Sequence, residues 1–154
     1  IFPEALSPHL AANISGIEID LERCLSESLA LPEQTIIEGA GGVLVPINSS
    51  VLMIDLIRAL ERPVIVVAGT RLGTINHTLL TLEALKGRQI PIAGFVTVGQ
   101  ENPSVQKSIE RYGEAHALGH IPECPEFSLS WFQETYKQLS IGNSISSRNL
   151  CATI

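Results

Sequence analysis

Gln34-Thr35-Ile36-Ile37-Glu38-Gly39-Ala40-Gly41-Gly42 is the stretch on which the reading of this chain turns. Thr35, Ile36 and Ile37 are β-branched and favour a pleated strand. Glu38 then falls at the carboxyl end of that strand, where open α/β sheets hold their ligands. Gly39, Ala40, Gly41 and Gly42 carry almost no side chain, so backbone amides there can approach a phosphate closely. A carboxylate beside amide donors is the local chemistry for holding a magnesium–nucleotide complex. The same residues also read as a tight turn with a solvated carboxylate. Three glycines in four residues after an Ile-Ile-Glu strand end favour the ligand reading.

Working outward, Pro63-Val64-Ile65-Val66-Val67-Ala68 is a continuous apolar run of strand length, as expected of a strand covered on both faces. Pro91 to Val98 and Ala117 to Ile121 read as further strands. Between them, Leu52 to Leu60, Thr74 to Lys86 and Ser104 to His116 read as helices, and Ser128 to Leu139 as a last one. On the Thr74 helix, Ile75, Leu79, Leu82 and Leu85 line one side. Upstream, Pro8 suits the first position of a short helical turn capped by Ser7. Leu21, Cys24, Leu25, Ser28 and Leu29 share a helical face that Pro32 closes. Val43 to Ile47 reads as an edge or loop because of Pro46. Alternating strands and helices predict βαβ units, a mostly parallel sheet and helices on both faces. The strand ends at Glu38, Thr70, Gly99 and Pro122 are expected to gather on one rim. Residues 1–139 form the expected α/β domain, and residues 140–154, rich in Ser and Asn, an expected poorly ordered tail.

The 154 residues suffice for one domain. A formal charge of -6 without a dense basic cluster argues against a nucleic-acid or anionic-membrane surface. No apolar run approaches the roughly 18 residues of a membrane-spanning helix. Cys24, Cys124 and Cys151 are scattered and odd in number. They fit a reducing, cytoplasmic setting better than disulfides or zinc. The chain opens on Ile1 with no secretory signal pattern, and is expected to be the later part of a longer protein.

Thr70-Arg71-Leu72-Gly73-Thr74-Ile75-Asn76-His77 joins the apolar strand to the amphipathic helix. Gly73 permits a sharp turn, and Thr74, Ile75 and Asn76 present amides at a helix start, a ready anion site. Ordinary capping by Thr74 is the equal alternative. His77 reads as a packed helical histidine, and His9, His116 and His120 lack metal-ligand spacing with the cysteines. Gly119 to Pro125 is a strand end with a rigid loop that either walls a base pocket or simply turns. Trp131, Phe132 and Tyr136 read as the buried stripe of the last helix.

Taken together, the chain resembles the dethiobiotin synthetase family. The resemblance is carried by Ser7-Pro-His-Leu-Ala-Ala12, Ile37-Glu-Gly-Ala-Gly-Gly42 with Leu44 to Pro46, and Arg71-Leu-Gly-Thr-Ile-Asn-His-Thr-Leu-Leu80. Leu82-Glu-Ala-Leu85, Ala93-Gly94 and Gly119-His-Ile-Pro122 extend it across about residues 3 to 125. It implies a three-layer, P-loop NTPase-like fold and a homodimeric, cytoplasmic ligase of biotin biosynthesis. In that activity carbon dioxide forms a carbamate on 7,8-diaminononanoate, ATP phosphorylates it, and the second amine closes the ureido ring as phosphate leaves. The resemblance implies that Glu38 binds Mg2+ and that Gly39, Ala40 and Gly41 lie against the phosphates of ATP. It further implies that Gly73, Thr74, Ile75 and Asn76 hold the substrate carboxylate across the dimer, and that Ser7, Pro8 and His9 border the diamine. Pro122, Glu123 and Cys124 would line the adenine, and Tyr112 would reach the partner's substrate.

Two departures stand out. The family's Gly-Lys-Thr phosphate loop, second-strand lysine and Asp-containing loop do not occur in this sequence, so an amino-terminal βαβ unit is expected to be missing and this polypeptide alone inactive or weak. No catalytic side chain is identified here. Where relatives place Asn-Asp after the Phe95 strand, this chain has Val98-Gly99, so base selection would rest on backbone groups. A noncatalytic binding or dimerisation module of the same fold is the competing expectation. A related amidoligase acting on a larger dicarboxylate is the third.

Overall fold

Val64, Ile65, Val66 and Ala68 are all buried, and the strand they form is the middle of a five-stranded parallel sheet. The computed structural model describes residues 2–32, 35–124, 126, 128–139 and 150–153. Gln34 and Pro125 lie outside them. In chain order the elements are α1 (Pro8–Ile14), α2 (Leu21–Leu29), β1 (Ile36–Glu38), α3 (Met53–Ala59), β2 (Val64–Gly69) and α4 (Thr74–Gly87). There follow β3 (Ile92–Gly99), α5 (Pro103–Gly113), β4 (Ala117–Pro122), α6 (Leu129–Lys137) and β5 (Leu150–Thr153). The sheet order is β1-β5-β2-β3-β4, with every pairing parallel.

Alternation along the strands sorts the core into two layers, as the period of two requires. Val64, Val66, Ala68 and Phe95 meet Ile54 and Ile57 of α3, Leu82 and Leu85 of α4 and Ile109 of α5. Leu21 and Leu25 of α2 pack on the same layer. Ile65, Val96 and Leu118 form the core of the other face, with Leu139, just past α6, against it. The expected α/β architecture, helices on both faces of a parallel sheet, is thereby observed.

Local chemistry explains the boundaries. Asp20 caps α2 by accepting from the amides of Glu22 and Arg23. Asn102 caps α5 through the Val105 amide, and Ser128 caps α6 through that of Trp131. At α3 the Asp55 carboxylate accepts from the Leu52 amide instead. Residues Val43 to Ile47 are a loop pinned by one bridge, Pro46 to Leu52.

Three expectations need correction. The carboxyl-terminal segment was expected to be a poorly ordered tail, yet Leu150–Thr153 is a strand lying between β1 and β2 and pairing with both. Among the described residues it is the neighbour that satisfies the backbone of the three-residue β1. Residues 140–149 and 154 of that tail lie outside the described residues. The last helix does not bury its aromatics: Phe132 and Tyr136 are exposed and stack on one another at 6.2 Å, while Thr135 is the buried position. Ser7 precedes α1 but makes no capping bond, because its hydroxyl shares a hydrogen bond with His9 Nδ1 at 3.2 Å.

Candidate functional site

The parallel order directs the carboxyl ends of all strands to one side, and there β2, β3 and β4 finish next to one another. Gly69 is level with Val98, and Gly99 with Pro122. A cleft of about 760 Å³ opens above these ends, lined by Gly69 to Thr74, His77, Val98, Gly99, Gln100 and Glu123. Next to it, about 610 Å³ is enclosed by Gly99, Gln100, Glu101, His120, Pro122, Glu123 and Gln138. A third, mostly apolar hollow of about 630 Å³ runs along Thr70 to Asn76, Leu79, Asn102 and Val105. Four of the expected nucleotide residues, Val98, Gly99, Pro122 and Glu123, thus share one continuous rim with Gly73, Thr74, Ile75 and Asn76. Cys124 is exposed just beyond it.

The start of α4 has a specific construction. Gly73 is the residue before the helix, at φ 93°, a left-handed conformation that glycine adopts without penalty. The Thr74 hydroxyl donates to the Gly69 carbonyl at 2.6 Å, tying the turn to the end of β2. The Thr74 amide donates to Arg71 O at 3.1 Å and so is not one of the free donors expected from the sequence. Thr74 is not the cap either. The amides of Ile75 and Asn76 have no acceptor among the described residues, leaving two donors aimed out of a 14-residue helix. Leu72, fully exposed, adds apolar surface to this opening.

Glu38 ends β1 on the same side of the sheet and its side chain is exposed. Register sets it level with Ala152 of β5 and hence with Ile65 of β2. It therefore stands about 13 Å lower, along the strand direction, than Gly69, and two strand spacings, about 9.6 Å, to the side. The glycine turn above it is tightly folded: Gly41 has φ 81°, and a Cβ there would lie 2.9 Å from Val45 Cγ2. A Cβ on Gly39 would sit 3.3 Å from Met53. None of the three rim hollows includes Glu38, Gly39, Ala40 or Gly41.

Ser7, Pro8 and Tyr112 also stand apart from these hollows. His9 lines a separate cavity of about 400 Å³ with Asn13, Glu18 and Asn48. Tyr112 is exposed, with the Arg111 guanidinium over its ring at 5.3 Å. No group of three or more His, Cys, Asp or Glu side chains converges among the described residues. At the end of β1 Glu38 offers an exposed carboxylate oxygen of the kind a hard cation takes.

One rim residue escaped notice as a participant. His120 is the partner of Thr97 in the β3–β4 pairing, with Nδ1 2.9 Å from the Thr97 hydroxyl, and its Nε2 is buried without a partner among the described residues. Only strand pairing reveals this, since residues 97 and 120 are far apart in sequence.

A family profile described as an AAA domain matches residues 1–129. The chain belongs to this family. Within it, the chain is 45% identical over 125 residues to a protein of Paramagnetospirillum magneticum named ATP-dependent dethiobiotin synthetase, covering 81% of this chain and 60% of that relative. It is 42% identical over 135 residues to the protein of that name from Rhodopseudomonas palustris strain HaA2, covering 86% and 61%. The Brucella ovis protein of the same name is 41% identical over 134 residues, covering 83% and 62%. The chain thus spans about 60% of the length of these curated relatives. The resemblance carried by the Glu38 and Leu72 to His77 motifs is borne out. Among the described residues no helix is long and apolar enough to cross a membrane.

Proposed function

We propose that this chain is part of an ATP- and magnesium-dependent cyclo-ligase, a dethiobiotin synthetase acting on 7,8-diaminononanoate and carbon dioxide. The single observation that carries the reading is the α4 start. Two unpartnered amides at a helix N-terminus, flanked by an apolar hollow, suit a carboxylate at the end of an aliphatic chain. Relatives named for dethiobiotin synthesis supply the chemistry that such a substrate would undergo.

In this reading the amides of Ile75 and Asn76, together with the Asn76 side-chain amide that lines the same hollow, anchor the distant carboxylate, and the exposed Leu72 covers the methylene chain. Ser7 and Pro8, with His9 beside them, border the diamine end, and Tyr112 reaches toward the substrate of a second protomer. Gly39, Ala40 and Gly41 let backbone amides lie against the triphosphate, and Val98, Gly99, Pro122, Glu123 and Cys124 wall the base. Glu38 would hold Mg2+, which when bound neutralises phosphate charge. The lateral offset between Glu38 and α4 favours a homodimer in which each α4 start serves the partner's nucleotide side. A cytoplasmic enzyme fits the scattered cysteines.

The competing reading, a noncatalytic binding or dimerisation module, draws on one observation. Such a module would keep the two free amides at the start of α4 as an anion pocket while carrying no nucleotide chemistry. The discriminating experiment is phosphate release by the full-length gene product with ATP, bicarbonate and diaminononanoate. Diamine-dependent release supports the ligase. Diamine binding without turnover in the folded full-length protein favours the module.

A further inference from the structure

At the opposite end of the sheet, where β2 and β3 begin, two neighbouring connections are built alike. After α3, Glu61 takes a left-handed conformation at φ 51° and Pro63 leads into β2. After α4, Gln89 does the same at φ 57° and Pro91 leads into β3. The Val64 amide donates to the Pro91 carbonyl at 2.8 Å, which holds the two turns side by side. Between them lies a cleft of about 370 Å³, with buried Ile57 and Ile90 in its lining and Arg58, Arg62 and Arg88 around them.

The charge in this cleft is out of keeping with the chain. Acidic residues outnumber basic ones 16 to 10, yet this cleft is lined by three arginines and a single carboxylate residue, Glu61. Among the described residues none of the three has a carboxylate within 4.0 Å. Helix ends account for part of this. Arg58 is in the last turn of α3, and Arg88 donates from Nη1 to the Ala84 carbonyl at 3.4 Å, both favourable at a carboxyl terminus. They do not account for Arg62, which lies beyond the left-handed residue, is half-buried and makes no hydrogen bond among the described residues. A guanidinium fork matches two phosphate oxygens and is weakly enough hydrated to sit beside apolar side chains.

We propose that this cleft binds a phosphate group, carried by a small phosphorylated molecule, at a site separate from the nucleotide rim. The volume exceeds what one oxyanion fills, and Ile57 and Ile90 offer an apolar surface for the remainder. Because the cleft opens at the amino ends of the strands, its occupant does not compete with a ligand at the carboxyl ends. The inference is independent of the ligase reading.

The test is titration calorimetry at constant ionic strength with inorganic phosphate and with glycerol 3-phosphate. It compares the wild type with Arg62→Gln, Arg62→Lys, Arg88→Gln and the rim variant Asn76→Ala, each checked for fold by circular dichroism. Saturable one-to-one binding is expected, weakened about tenfold by Arg62→Gln and Arg88→Gln, less by Arg62→Lys, and unchanged by Asn76→Ala. Tighter binding of glycerol 3-phosphate marks an organic phosphate as the ligand, and equal binding marks free phosphate. The proposal is overturned by no saturable binding of either anion up to about 20 mM. Binding abolished by Asn76→Ala and untouched by both arginine-to-glutamine variants overturns it equally.

Discussion

Replacing Gly73 by alanine isolates the backbone contribution at the start of α4. Gly73 sits at φ 93°, and a Cβ built there meets nothing within 4 Å. The cost of Gly73→Ala is therefore conformational alone, about 1–2 kcal/mol for an L-residue forced into left-handed space. Two outcomes are open to the chain. If the Thr74 hydroxyl bond to Gly69 at 2.6 Å holds the turn, the strain stays in place and the unfolding free energy falls by that amount. If the turn relaxes, the amides of Ile75 and Asn76 rotate away from the hollow. The KM for diaminononanoate then rises about five- to thirtyfold while that for ATP is unchanged. Gly73→Asn, which tolerates the left-handed region, should recover most of either loss. Urea denaturation and steady-state kinetics of the full-length protein together read both outcomes. If Gly73→Ala changes neither stability nor the diamine KM, the account of this turn is wrong.

Glu38→Gln should leave the fold intact, because the side chain is exposed at the end of β1. It should weaken magnesium-dependent nucleotide binding about tenfold, roughly 1.4 kcal/mol, when titrated with and without the metal. Leu82→Ala, at a fully buried position of α4, should cost about 2–5 kcal/mol in denaturant unfolding without altering substrate affinity in the protein that remains folded. Burial, helped by Glu27 and Asp20, pushes the Cys24 thiol above its usual range. Cys24 is then less thiolate than an ordinary cysteine near pH 8. Peptide mapping after iodoacetamide should find it alkylated more slowly than the exposed Cys124, the difference shrinking as pH rises.

The elements that announce themselves by local chemistry were legible in the sequence. The run after Pro63, the amphipathic stretch from Thr74 and the Ile-Ile-Glu strand end all stand within a residue or two of where periodicity and turn residues set them. Leu150–Thr153 was not legible. A four-residue strand amid Ser and Asn has no pattern of its own, and its place between β1 and β2 is a property of the sheet. The exposed Phe132 and Tyr136 mislead for the opposite reason, since aromatic residues at helical spacing are normally core. At the rim, Gly73 to Asn76 was readable because helix starts have a local grammar. The occupied amide of Thr74 depends on the Arg71 carbonyl, and the Thr97–His120 pair on a register that only the assembled sheet defines.

The most direct test of the central claim couples ATP hydrolysis to ring closure in the full-length protein, with wild type beside Glu38→Gln and Asn76→Ala. The account predicts one phosphate released per dethiobiotin formed. Glu38→Gln should impair the ATP dependence, and Asn76→Ala the diamine dependence. Phosphate release indifferent to the diamine, or unaffected by both substitutions, would contradict it.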